Sequence, residues 1–102
     1  MTSSRIYLDN AATTWPKPEA VYQAVDEYQR RIGCSPGRST YADALAADRV
    51  VLEARLAVAR WLRVGQADHV LFAFNGTDAL NMALRGMIRP GDHVVTTIAD
   101  HN

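Results

Sequence analysis

Phe74-Asn75-Gly76-Thr77-Asp78 joins the end of an apolar run to the start of a helical pattern through one small turn. Such a junction exposes backbone N–H groups at the positive end of a helix dipole. The Thr77 hydroxyl adds a donor, and together these make an anion site suited to a phosphate. The plainer reading is that Asn75 or Thr77 only caps the helix. The glycine and lysine spacing of a nucleotide P-loop is absent, as are the second and third glycines of the dinucleotide fingerprint, so a phosphate held here belongs to another kind of ligand.

His101 follows the β-branched run 93–98, at the strand end where ligands of open α/β sheets gather. A neutral imidazole there stacks on a flat ring or moves a proton. His69 and His93, at strand starts, read as structural. Asn10-Ala11-Ala12 lies in a small polar loop fit to surround a small substrate or simply to close a hydrogen-bonded turn. Arg38, in the Pro36-Gly37-Arg38 turn, is either a clamp for a carboxylate or an ordinary surface arginine. Cys34 has no adjacent histidine or lysine to activate it and reads as a structural thiol. Ten of the eleven basic residues are arginine; the one lysine, Lys17, sits between Pro16 and Pro18 and is a poor catalytic amine. No carboxylate pair, metal-ligand cluster or serine triad stands out, so no metal is expected.

These residues need elements to hold them. Ile6-Tyr7-Leu8 reads as a short strand broken by the polar loop after it. Val21, Val25, Tyr28 and Ile32 mark one face of a helix that starts after Pro18 and stops at Gly33. Pro36 and Gly37 force a second loop, with Ser39 or Thr40 offering a cap for the next helix. Leu45, Leu52, Leu56, Ala59 and Leu62 predict that this helix is long, over 41–63, with Arg49 and Glu53 paired on its wet side and Gly65 past its end. Residues 69–74 and 93–98 read as strands around a helix over 78–88 closed by Arg89-Pro90-Gly91-Asp92. That is a βαβ unit with parallel strands.

The 102 residues are 48% hydrophobic and 22% charged, which suits one globular unit. Eleven basic residues balance eleven acidic ones, so neither nucleic acid nor an anionic membrane is an expected partner. A single cysteine allows no internal disulfide, and the start lacks the apolar stretch of a signal peptide; the expected location is cytoplasmic. Two parallel strands make too small a sheet, so the chain reads as the first part of a longer polypeptide.

In order along the chain, Tyr7-Leu8-Asp9-Asn10-Ala11-Ala12-Thr13-Thr14, Pro36-Gly37-Arg38, Asn75-Gly76-Thr77-Asp78-Ala79-Leu80-Asn81-Met82-Ala83-Leu84, Gly91-Asp92-His93-Val94-Val95 and Asp100-His101-Asn102 resemble the amino-terminal part of the class V aminotransferase-like family. These are pyridoxal-phosphate enzymes that include cysteine desulfurases and selenocysteine lyases. The resemblance implies an α/β fold, the amino-terminal portion of a fold type I transferase, with helices followed by a βαβ unit of the large-domain parallel sheet. Residues 1–40 would form the amino-terminal segment with substrate-side loops, and 41–102 the start of the cofactor-binding large domain.

The same resemblance implies that Gly76 and Thr77 hold the phosphate of pyridoxal 5'-phosphate and that His101 stacks on its ring and assists proton transfer. Asn10, Ala11 and Ala12 match the substrate-side loop, and Arg38 matches an arginine near the opening of the site. The implied activity is removal of sulfur from L-cysteine, giving L-alanine and an enzyme persulfide, by a homodimer that passes sulfur to an acceptor protein. Another class V lyase or transaminase is the rival within the family, and a non-enzymatic product acting in binding or dimerisation is the rival outside it.

Departures limit what these residues do alone. The family's cofactor-bearing lysine, in a Ser-x-His-Lys type segment, the aspartate that partners the pyridine nitrogen, and the persulfide cysteine all lie downstream of the matched histidine, and none is among the 102 residues. Lys17 and Cys34 do not match them, and Asp100 replaces the glutamate common before this histidine.

Overall fold

Pro18, with φ −52°, sets the backbone for the first helix, α1, Glu19–Arg31, in a computed structural model that describes residues 6–100. Glu19 in the first turn and Arg30 and Arg31 in the last complement the helix dipole. Ion pairs Asp26–Arg30 at 2.7 Å and Glu27–Arg31 at 3.1 Å run along the exposed side. Being solvent-screened, each contributes only about 0.3 kcal/mol. The helix stops where the sequence predicts. Gly33 turns into the left-handed region at φ +60° and donates its N–H to the Tyr28 carbonyl at 2.9 Å. A Cβ there would meet the Gln29 carbonyl oxygen at 3.2 Å, so glycine is required for both space and backbone angle.

The long helix, α2, is Ala42–Leu62. Its N-cap is Tyr41 in an extended conformation without a side-chain cap bond, so neither Ser39 nor Thr40 supplies the expected cap. Its end also differs from expectation. Arg63, not Gly65, takes the left-handed position at φ +55°. The cause is local: Val64 donates to the Ala59 carbonyl at 2.8 Å and Arg63 to Arg60 at 3.2 Å, and that closure demands the left-handed residue at 63. Arg49 and Glu53 do not form their expected ion pair among the described residues. Ala44, Ala47 and Ala59 are buried on α2, and Val70 joins them beyond the 3₁₀ turn Ala67–His69, which packs against this helix. The core is built of small residues.

The third helix, α3, is Gly76–Met87. It starts two residues before the expected 78, because Asn75 caps it and Gly76 and Thr77 fall in its first turn. Arg89-Pro90-Gly91-Asp92 closes the segment as expected. Gly91 has φ +95°, Asp92 donates its N–H to the Arg89 carbonyl at 3.0 Å, and the Asp92 carboxylate accepts from the Arg89 N–H at 2.7 Å.

The expected strands require correction. Among the described residues neither Ile6-Tyr7-Leu8 nor 69–74 nor 93–98 pairs into a sheet, so no βαβ unit forms. Apolar and β-branched residues favour an extended backbone, as at Val70 with φ −105° and ψ 115°, but a strand exists only where a second backbone lies alongside to exchange hydrogen bonds. The radius of gyration, 18.8 Å, exceeds the roughly 13 Å of a compact chain of this length. Large apolar side chains therefore stay in solvent, with Phe74 99% and Trp61 81% exposed. Among the described residues no helix is long and apolar enough to cross a membrane.

Candidate functional site

At the start of α3 one of the two candidate capping residues supplies the cap. Asn75 is the cap: its Oδ1 accepts the Asp78 N–H at 2.9 Å, while the Asp78 carboxylate accepts the Phe74 N–H at 3.2 Å. This reciprocal pair satisfies two backbone donors and leaves those of Gly76 and Thr77, with the Thr77 hydroxyl, unpartnered among the described residues. Thr77 lines an open cavity of about 680 Å³ together with Asn75, Asp78, Asn81, Met82 and Arg85. A Cβ built on Gly76 meets nothing within 4 Å, so the approach to its backbone is clear. Thr77, Asn81 and Arg85 recur every fourth residue on one helix face, which brings a guanidinium to the cavity that Thr77 lines. Sequence reasoning misses Arg85 and Asn81, although their spacing from Thr77 is a signal that could find them.

Asn10-Ala11-Ala12 sits in a closed loop. The Asp9 carbonyl accepts from Ala12 at 3.2 Å and Thr13 at 3.3 Å, and Asn10 Oδ1 accepts the Trp15 N–H at 3.1 Å. Lys17 comes next, its ammonium donating to the Thr14 carbonyl at 3.0 Å, so it serves to brace the loop.

Arg38 is exposed and forms no ion pair among the described residues. Its loop is pinned at both ends. Tyr28 donates its hydroxyl to the Cys34 carbonyl at 2.6 Å, and the Gly37 N–H donates to Asp48 Oδ1 on α2 at 2.6 Å. Gly37 has φ +72°, which explains a glycine beside Pro36. The Tyr41 phenol is raised above its ordinary value by the neighbouring half-buried Cys34, through hydrogen bonding first and its charge second. Asp48, the anchor of this loop, is a residue sequence reasoning misses, for nothing local marks it.

His101 lies outside the described residues. The preceding Asp100 accepts the Thr97 N–H at 3.2 Å and the Thr96 hydroxyl at 3.1 Å, and these bonds, the backbone one foremost, lower its carboxyl below the usual range. The α3 cavity is lined by α3 and its cap alone; neither Arg38 nor the 10–12 loop contributes to it. No cluster of three metal-ligating side chains forms among the described residues.

The family model described as aminotransferase class-V matches residues 6–102. The chain belongs to the class-V aminotransferase family. Membership implies the fold type I architecture and a family whose cofactor is pyridoxal phosphate. Among curated relatives, this class-V chain is 36% identical over 98 residues to a probable cysteine desulfurase of Methanothermobacter thermautotrophicus, covering 95% of this chain and 24% of the relative. It is 34% identical over 99 residues to a probable cysteine desulfurase of Pseudomonas aeruginosa, with 94% and 24% covered. It is 30% identical over 101 residues to the cysteine desulfurase CsdA of Escherichia coli, with 95% and 25% covered. The chain thus spans about a quarter of the length of the relatives it matches. No solved structure matches it significantly.

Proposed function

We propose that this chain forms the amino-terminal portion of a pyridoxal-phosphate-dependent cysteine desulfurase, which converts L-cysteine to L-alanine and an enzyme persulfide. The observation that carries the proposal is the family match over residues 6–102, together with relatives named cysteine desulfurase across almost the whole chain. In this reading residues 69–74, α3 and 93–98 become the βαβ unit of the large-domain sheet, once further strands offer them backbone partners.

The local chemistry at α3 supports a phosphate. The Gly76 and Thr77 N–H groups and the Thr77 hydroxyl are unpartnered among the described residues, and the Gly76 backbone is open to approach. The positive end of the α3 dipole favours a dianion there, and Arg85 adds a positive charge on the same face. When bound, pyridoxal phosphate supplies an electron sink for bond cleavage at the substrate.

The chain's own residues prepare that chemistry. Gly76 and Thr77 would hold the phosphate end of the cofactor. His101, as the matched histidine, would hold or move a proton at the substrate. Asn10, Ala11 and Ala12 border the amino acid, and Arg38 offers a guanidinium to its carboxylate at the opening. The lysine and cysteine that carry the cofactor and the sulfur lie outside these 102 residues. A cytoplasmic homodimer delivering sulfur to an acceptor protein completes the proposal.

The test is to incubate the full-length protein with L-cysteine and a dithiol reductant, which supplies the two electrons that release the persulfide's outer sulfur as sulfide, and to measure alanine and sulfide, alongside retention of pyridoxal phosphate by a Thr77→Val variant. The expected result is stoichiometric alanine and sulfide from the parent and roughly tenfold weaker cofactor retention in the variant, matching the loss of one charge-assisted donor. Turnover of a different amino acid without sulfide would transfer the chain to another class V activity.

A further inference from the structure

A single hydroxyl ties the two ends of the 9–13 loop. The Tyr7 O–H group stands 2.7 Å from the Thr13 carbonyl and 3.0 Å from the Asp9 carbonyl, bridging across the turn that the Asp9 carbonyl closes from within. The Tyr7 ring is itself held edge-on against Trp15, with ring centres 5.5 Å apart. The Trp15 N–H in turn donates to Asn10 Oδ1 at 3.1 Å. Ring, hydroxyl and amide therefore form a continuous chain of contacts: Thr13 to Tyr7, Tyr7 to Trp15, Trp15 to Asn10. Asn10 has its oxygen spent in that chain of contacts, so its orientation is decided by the latch rather than by whatever approaches it. What the loop keeps for a ligand are donors, among them the Asn10 amide N–H groups, unpartnered among the described residues.

We propose that Tyr7 is the positioning residue of the substrate-side loop, its hydroxyl holding Asn10, Ala11 and Ala12 in the arrangement that receives the amino-acid substrate. This rests on reading those three residues as the substrate border. Tyr7 touches no reacting atom; it acts through the loop. Pre-organising a loop removes an ordering cost from substrate binding, so its loss falls on KM more than on kcat.

Tyr7→Phe removes the hydroxyl and keeps the ring against Trp15, whereas Tyr7→Leu removes both. In the full-length protein, Tyr7→Phe is expected to raise KM for L-cysteine about fivefold with kcat within about twofold, the size set by one neutral hydrogen bond. Amide hydrogen exchange at Ala12 and Thr13 should quicken in the same variant, while pyridoxal-phosphate retention matches the parent. Tyr7→Leu should show a larger KM effect in the same direction. An unchanged KM in Tyr7→Phe, or a fall in kcat at constant KM, overturns the positioning role even if activity is sound. A parent that turns over no amino acid sinks the enzymatic reading and this role with it, and that failure is recognised in the parent before any variant is compared.

Discussion

Asp48 on α2 accepts the backbone N–H of Gly37 at 2.6 Å, reaching across eleven positions of chain to hold the turn that presents Arg38. Asp48 is half-buried, and Gly37 stands in the left-handed region at φ +72°, so the carboxylate fixes a loop that no periodic element would order. A charged acceptor makes this bond stronger than a neutral one.

Replacing Asp48 with Ala should therefore cost about 1.5 kcal/mol and loosen residues 33–40. Asp48→Asn keeps an oxygen acceptor and should lose about half as much. Urea denaturation with amide exchange at Gly37 measures both. Equal protection of Gly37 in the parent and in Asp48→Ala would show that the loop is held by other means.

Asn75→Ala removes the side-chain bond to the Asp78 N–H and should destabilise α3 by about 1 kcal/mol, whereas Asn75→Asp or Asn75→Ser should retain most of it. Helix content by circular dichroism and the thermal midpoint report the loss. If Asn75 instead bound the ligand, the Ala variant would keep its stability and lose only phosphate affinity.

Arg63 occupies a left-handed position at the end of α2 with φ +55°, where a Cβ is a steric cost. Arg63→Gly should raise stability by about 1 kcal/mol, seen as a higher denaturation midpoint at unchanged m-value. A lower midpoint would mean that the arginine side chain contributes more than its backbone costs.

The Asp100 carboxyl is lowered by the Thr97 N–H first and the Thr96 hydroxyl second. A carboxylate whose folded value is depressed stabilises the structure above its unfolded pKa, and the contribution disappears as pH falls through the folded value. The turn at 97–100 should accordingly persist at neutral pH and open only below the ordinary aspartate range. The Thr97 amide resonance followed through an acid titration should show that low midpoint, and Asp100→Asn should abolish it. A midpoint at or above the ordinary aspartate value would contradict the bonding seen here.

The 102-residue polypeptide alone should form no alanine or persulfide from L-cysteine. Its one lysine, Lys17, is engaged with the Thr14 carbonyl, and its one cysteine, Cys34, is half-buried. Alanine production by the purified 102-mer, checked by mass spectrometry, would require a catalytic amine among residues that do not supply one.

Residue order makes legible what neighbouring residues impose on one another. The apolar spacing Val21, Val25, Tyr28 and Ile32 locates α1, Gly33 locates its end, and Pro90-Gly91 locates the turn after α3, because helix period and backbone angle act within a few residues. Where local signals compete, geometry chooses among them. Tyr41 rather than Ser39 or Thr40 precedes α2, and Arg63 rather than Gly65 closes it, since a cap depends on which hydrogen-bond closure the whole turn adopts. At α3 the sequence leaves Asn75 and Thr77 as equal candidates, and the fold assigns the cap to Asn75, with the Thr77 N–H and hydroxyl unpartnered among the described residues. The contacts that order the site loops, Tyr7 to Thr13, Trp15 to Asn10 and Gly37 to Asp48, span five to eleven positions with no periodic pattern to announce them. The strand pattern of 69–74 and 93–98 shows the same boundary from the other side. Side-chain types set a preference for extended backbone, but the sheet itself is a relation between separate segments, and only tertiary structure supplies the second strand.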